Sequence, residues 1–171
     1  FPRNDDLDPE RFANPDFLYV SHLHRDHFDP EFLARHVGKD ARVLLPDFPV
    51  PMLERELRAV GFRYFVATRD HEPIEIDGLE VAILAMTAPA DGPLGDSALV
   101  LSDGATRMLN QNDARPGDPA TMQAPGPYDA QFLQFSGAIW YPIAYDFPPE
   151  EKARLAREKR DIDDVALLLG F

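Results

Sequence analysis

Apolar residues in this chain come in short runs, separated by clusters rich in proline, glycine and aspartate. Phe17-Leu18-Tyr19-Val20 is continuous and short, the pattern of a strand buried on both faces. Arg42-Val43-Leu44-Leu45-Pro46 is a second strand, ended by proline, and Phe62 to Ala67 is a third. Between them the spacing turns helical. Asp29-Pro30-Glu31 is an N-cap followed by proline at the first helical position, and the helix runs to about Val37, stopped by Gly38. Pro51 to Val60 places Met52, Leu53, Leu57 and Val60 on one side and closes at Gly61. Asp8-Pro9-Glu10 carries the same cap signal for a shorter helix start.

Further on, the period becomes that of strands. Pro73 to Ile76 and Leu79 to Leu84 flank Asp77-Gly78, a strong hairpin signal. Ser97 to Ser102 and Thr106 to Asn110 flank a turn at Asp103-Gly104. Thr87 to Gly95 reads as a loop, and residues 112–128 as a long one, a length that is usually functional or disordered. Phe132 to Tyr145 is apolar and aromatic, a strand or a buried crossover. Pro148 to about Lys159 is a charged helix, with a further helical segment from Ile162 to Leu169. Alternating strands and helices make the class α/β. No internal boundary is visible, so residues 1–171 are expected to form one domain.

Composition narrows the function. With 171 residues, 44% of them hydrophobic, the chain can bury a sizeable core. No run approaches the roughly 20 apolar residues of a membrane span. No signal-peptide pattern is present, so the expected setting is cytoplasmic. The net charge of −13 argues against a general nucleic-acid binder, although a local basic pocket for an anionic small-molecule substrate stays open. There is no cysteine, so any metal must be held by nitrogen and oxygen, and an iron–sulfur cluster on this chain is excluded.

The chemistry concentrates in His22-Leu23-His24-Arg25-Asp26-His27, directly after the first strand. Three of the five histidines fall here, with a carboxylate among them. Imidazole and carboxylate suit zinc, iron or manganese. His22 and His24, two apart, point the same way while the backbone stays extended, and Asp26 and His27 follow at the turn. His36 and His71 have no motif partner.

This HxHxDH pattern after a hydrophobic strand resembles the metallo-β-lactamase fold superfamily. The resemblance implies an αββα sandwich. It also implies that His22 and His24 bind one metal and that Asp26 and His27 bind a second. An aspartate at a later strand end would bridge them, and Asp113 in Asn110-Gln111-Asn112-Asp113 is the candidate, with Asn110 and Asn112 as donors that fix its carboxylate. The alternative for Asp113 is a turn aspartate beside Pro116-Gly117. The superfamily's third histidine for the first metal is missing from the loop before Ser97. Asp91 or Asp96 could substitute as an oxygen ligand, which would make iron or manganese more plausible relative to zinc. The superfamily's final histidine is also absent after His71.

The superfamily places several strands ahead of this motif. Its implied sandwich is therefore expected to be incomplete on the N-terminal side of this sequence, with a second segment or chain completing it.

Together with the histidine loop, residues 131–142, which contain the single tryptophan, resemble the branch of CMP-N-acetylneuraminate (sialic acid) hydroxylases and their bacterial relatives. That branch joins a Rieske domain to a metallo-β-lactamase-like domain. Trp140 and Tyr141 become substrate-pocket candidates, against the plainer alternative of core packing. Three functions follow as expectations. One is an iron oxygenase fed by an external Rieske 2Fe-2S donor. Another is a hydrolase with one or two divalent metals, in which Asp26 orients water or acts as general base. The third is a non-catalytic metal-binding or scaffold domain with a degenerate site.

Overall fold

The computed structural model describes residues 8–87, 92–114, 116, 118, 120–133 and 146–157. Two sheets face one another. The first is parallel, in the order β1-β2-β3, from Phe17–Tyr19, Arg42–Leu45 and Tyr64–Ala67. The second has five strands in chain order: β4 Ile74–Ile76, β5 Leu79–Met86, β6 Asp96–Ser102, β7 Arg107–Asn112 and β8 Ala130–Leu133. Its pairings are antiparallel except the last, where β8 runs parallel to β7.

The helices follow the caps. Asp29 accepts a hydrogen bond from the Phe32 amide at 2.9 Å and opens α1, Pro30–His36. Helix α2, Met52–Val60, ends on Gly61, whose φ of 111° is a left-handed conformation that a side chain would strain. Leu53 and Leu57 point inward with Leu33, Val37 and Val43, so α1 and α2 cover the outer face of the parallel sheet. Strand alternation then builds a second layer. Leu44, Val81, Ile83 and Leu99 meet between the sheets, whereas Ala82, Leu84, Ala98 and Val100 turn outward to pack with Leu109, Ala114 and Met122. Strands β5 and β6 are buried on both faces, which is why they read as nearly unbroken apolar runs.

The structure departs from the sequence reading in two places. Residues 112–128, expected as loop, contain the short helix α3, Ala120–Gln123, seated by buried Met122. The apolar stretch expected from Phe132 begins earlier, as β8 from Ala130. Residues 134–145 and the helical segment expected at 162–169 lie outside the described residues, and a helix covers 149–157. Among the described residues no helix is long and apolar enough to cross a membrane.

Gly95 gives a stability prediction. Its φ is 70°, and a Cβ there would run into the ring of Phe48. Gly95→Ala is expected to cost about 1–3 kcal/mol from the backbone conformation alone, with the collision added, read as a lower urea midpoint.

Candidate metal centre

The parallel strands all end at one rim, where ligands of α/β sheets commonly bind. Strand β1 delivers Val20 and Ser21 to that rim, and the chain then turns sharply. The amides of His27 and Phe28 both donate to the His24 carbonyl, at 3.0 and 2.7 Å. Phe28 is buried beneath the loop and Leu23 packs on the same core, so the apolar residues of the motif anchor it. The histidines between these anchors are left to gather at the rim.

His22 is the buried member, with 2% of its surface exposed. Its Nε2 lies 2.8 Å from Nδ1 of His24. The rings of His22 and His27 are 4.3 Å apart between centroids. Strand β7 ends in a bulge at Asn112, whose φ of 55° turns the chain so that Asp113 follows it onto the rim. The Asp113 carboxylate then stands 3.3 Å from Nε2 of His27. His22, His27 and Asp113 each bring one ligand atom into a group within 4.8 Å of one another. Two nitrogens and one oxygen, drawn from two distant stretches of sequence, form a donor set that fits a divalent transition metal.

The other expected residues are arranged around this group. His24 touches His22 from the exposed side. Asp26 is well exposed at the loop tip, 4.0 Å from His27. Asp96, at the start of β6, is buried and places Oδ1 3.0 Å from Nδ1 of His22. It also accepts a hydrogen bond from the Ser97 amide at 2.6 Å. Asn110 and Asn112 do not carry the expected bonds to Asp113. The Asn110 carboxamide oxygen accepts from the Asn112 amide at 3.4 Å, and the Asn112 side chain donates to the carbonyls of Ser97 and Asn110. Asp91, Trp140 and Tyr141 lie outside the described residues. His36 stacks on Phe32 late in α1. His71 lies 3.5 Å from Asp70 in the loop after β3 and is outside the three-residue group.

The electrostatics favour positive charge at the centre. Burial pulls the His22 pKa down. The hydrogen bond to Asp96 and the charges of Asp96, Asp113 and Asp26 push it up and prevail, so the net shift is upward. The same carboxylates that favour an imidazolium favour a bound cation.

Three residues that sequence reasoning passed over support the loop. Ser21 places its hydroxyl 3.0 Å from Nδ1 of His22 and 3.4 Å from Nδ1 of His27. Ser97, fully buried, donates from Oγ to the Ser21 carbonyl at 2.8 Å. The Tyr19 hydroxyl lies 2.8 Å from both the carbonyl oxygen and Oγ of Ser97. Burial pushes the Tyr19 phenol well above its ordinary range, so it stays a neutral hydrogen-bonding group. Their only signal in the sequence is a polar residue inside or next to an apolar run.

Solved structures share this arrangement of sheets and helices. CmlA, a diiron β-hydroxylase from Streptomyces venezuelae, superposes with a TM-score of 0.53 over 84% of this chain and 31% of its own, at 21% identity. A protein provisionally named a metal-dependent hydrolase, from Parabacteroides distasonis, does so with a TM-score of 0.51 over 77% of this chain and 58% of its own, at 16% identity. The fold is metallo-β-lactamase-like.

No family model matches the chain. A curated relative from Mycolicibacterium smegmatis, provisionally named a Rieske 2Fe-2S iron-sulfur protein, is 52% identical over 165 residues. That alignment covers 94% of this chain but 32% of the relative, so the metallo-β-lactamase-like chain spans about a third of the relative's length.

Proposed function

We propose that this chain is the metal-binding part of a metal-dependent enzyme, and that the metal is iron serving an oxygenase reaction. The observation that carries the metal reading is the convergence of His22, His27 and Asp113 at the rim. The preference for redox chemistry over hydrolysis rests on the relative that bears a Rieske name and is 52% identical. A Rieske cluster takes two cysteines and two histidines, and this chain has no cysteine. In this reading the cluster belongs to another domain or protein and acts as the electron donor.

His22 and His24 would hold one ion, and Asp26 and His27 a second, with Asp113 between them. Asp96 meets the other ring nitrogen of His22, Nδ1 at 3.0 Å, so it would orient that imidazole and add negative charge beside the ion. Iron at such a nitrogen and oxygen site supplies one-electron chemistry towards dioxygen, whereas zinc would supply Lewis-acid chemistry for hydrolysis. The residues do the rest. The carboxylates around the centre would neutralise the cation, Ser21 steadies two of the rings, and exposed Asp26 is placed to accept a proton from a substrate or water. The substrate is a small molecule entering from the rim.

Hydrolysis is the second reading. It is favoured by the imidazole-rich loop itself, which suits zinc as well as iron, and the fold hosts either chemistry.

The test is metal content of the purified protein by plasma mass spectrometry, beside a His24→Ala variant. One or two iron ions per chain, lost in the variant, is the expected result. Zinc in the same ratio moves the assignment to hydrolysis. No metal in either protein overturns both readings and leaves a scaffold domain.

A further inference from the structure

Among the described residues no strand of one sheet pairs with a strand of the other, so their separation is set largely by packed side chains. Most of that interface is apolar, through Leu44, Val81, Ile83 and Leu99, and apolar contact is non-directional. At the rim a directional network, beside the contacts of His22 with Asp96 and His27 with Asp113, replaces it. The Tyr19 hydroxyl on β1 reaches Ser97 on β6 at 2.8 Å, and the Asn112 side chain on β7 donates to the Ser97 carbonyl at 3.3 Å and to the Tyr19 hydroxyl at 3.4 Å. Ser97 in turn holds the Ser21 carbonyl at 2.8 Å.

Three members of this network adjoin residues of the proposed centre in the chain: Ser21 adjoins His22, Ser97 adjoins Asp96, and Asn112 adjoins Asp113. The three strand ends therefore meet at Ser97, and the Tyr19 phenol bonds both Ser97 and Asn112. We infer that the Tyr19 hydroxyl is a positioning group for the metal centre, fixing the spacing of His22, Asp96 and Asp113 across the two sheets. The inference rests on the metal reading above for its functional meaning. Its geometric content, the placement of the histidine loop, does not need a metal.

Tyr19→Phe keeps the ring in the apolar layer and removes only the hydroxyl. Thr68→Val is the control. Thr68 is buried, and its hydroxyl donates to the Leu45 carbonyl at 2.8 Å on the same rim, but it adjoins no proposed ligand. Both variants are titrated with cobalt(II), which reports affinity and, through its visible spectrum, ligand geometry. The metal-free proteins are compared by the ring nitrogen resonances of His22 and His27.

Tyr19→Phe is expected to weaken cobalt binding by about tenfold, the lower end of the range for losing a group bonded directly to a ligand, because the phenol acts one step further out. The spectrum and the His22 resonances should change with it, while Thr68→Val keeps the parent's. A Tyr19→Phe protein with parental affinity, spectrum and resonances overturns the inference, and so does an equal loss in both variants. A parent that takes up no cobalt defeats the metal reading instead. Resonance shifts confined to Tyr19→Phe then still support the positioning role, and unshifted resonances overturn it.

Discussion

Replacing His22 with alanine will abolish metal retention, with a loss of affinity larger than the roughly hundredfold upper end for an outer partner. His22 touches three of the other groups of the centre. Its Nε2 faces His24, its ring lies beside His27, and its Nδ1 meets Asp96. No other described histidine at the rim is buried, so none can replace it.

The substitution also has a metal-free cost. Asp96 is 4% exposed, and without His22 it keeps the Ser97 amide as a partner in a buried setting. A buried polar group that loses a hydrogen-bond partner costs about 1–3 kcal/mol. The variant should therefore unfold at lower urea than the parent even in chelator. Added metal should raise the parent's midpoint, because it binds the folded state, and leave the variant's unchanged. His36→Ala is the matched control, since that ring stacks on Phe32 away from the rim. Parental metal stoichiometry in His22→Ala would place the centre elsewhere.

The legibility of the chain follows from which forces are local. Caps and turns are local, and they were readable. Asp29 caps α1, Gly61 closes α2, and Asp77-Gly78 makes the hairpin with φ of 52° and 83° at its two residues. The histidine loop was readable for the same reason, since its donors are neighbours in sequence. Asp113 is offered by the superfamily resemblance at a strand end, and the structure brings its carboxylate 3.3 Å from His27.

Long-range polar contacts were not readable. Tyr19 and Ser97 are 78 positions apart, and nothing in an apolar run announces a bond across two sheets. Asn110 and Asn112 were expected to serve the Asp113 carboxylate. They serve backbone carbonyls and the bulge instead, because a strand end has unpaired main-chain groups that need partners first. Helix α3 was missed because four residues carry too little period, and a single buried side chain, Met122, decides it.

Metal and proton should compete for His22 in a way that reverses the pH dependence of stability. The His22 pKa is raised in the folded state. In the metal-free chain its protonated form is therefore favoured by folding. That contribution is fully present below the unfolded value of about 6.5. It is lost as pH rises through the higher folded value. Metal-free protein should thus lose stability across the range just above pH 6.5. Binding a metal requires the neutral ring, so the proton must leave first. Apparent affinity should then rise with pH up to the folded pKa, by about tenfold per unit for each proton displaced, and flatten above it. The two effects have opposite sign in the same window, and urea midpoints measured with chelator and with metal should diverge as pH increases. His22 carries this behaviour through its contact with Asp96, which heads the raising causes. Asp96→Asn should therefore move the crossover to lower pH. Parallel pH curves with and without metal would show that no proton leaves His22 on binding, and would remove it from the ligand set.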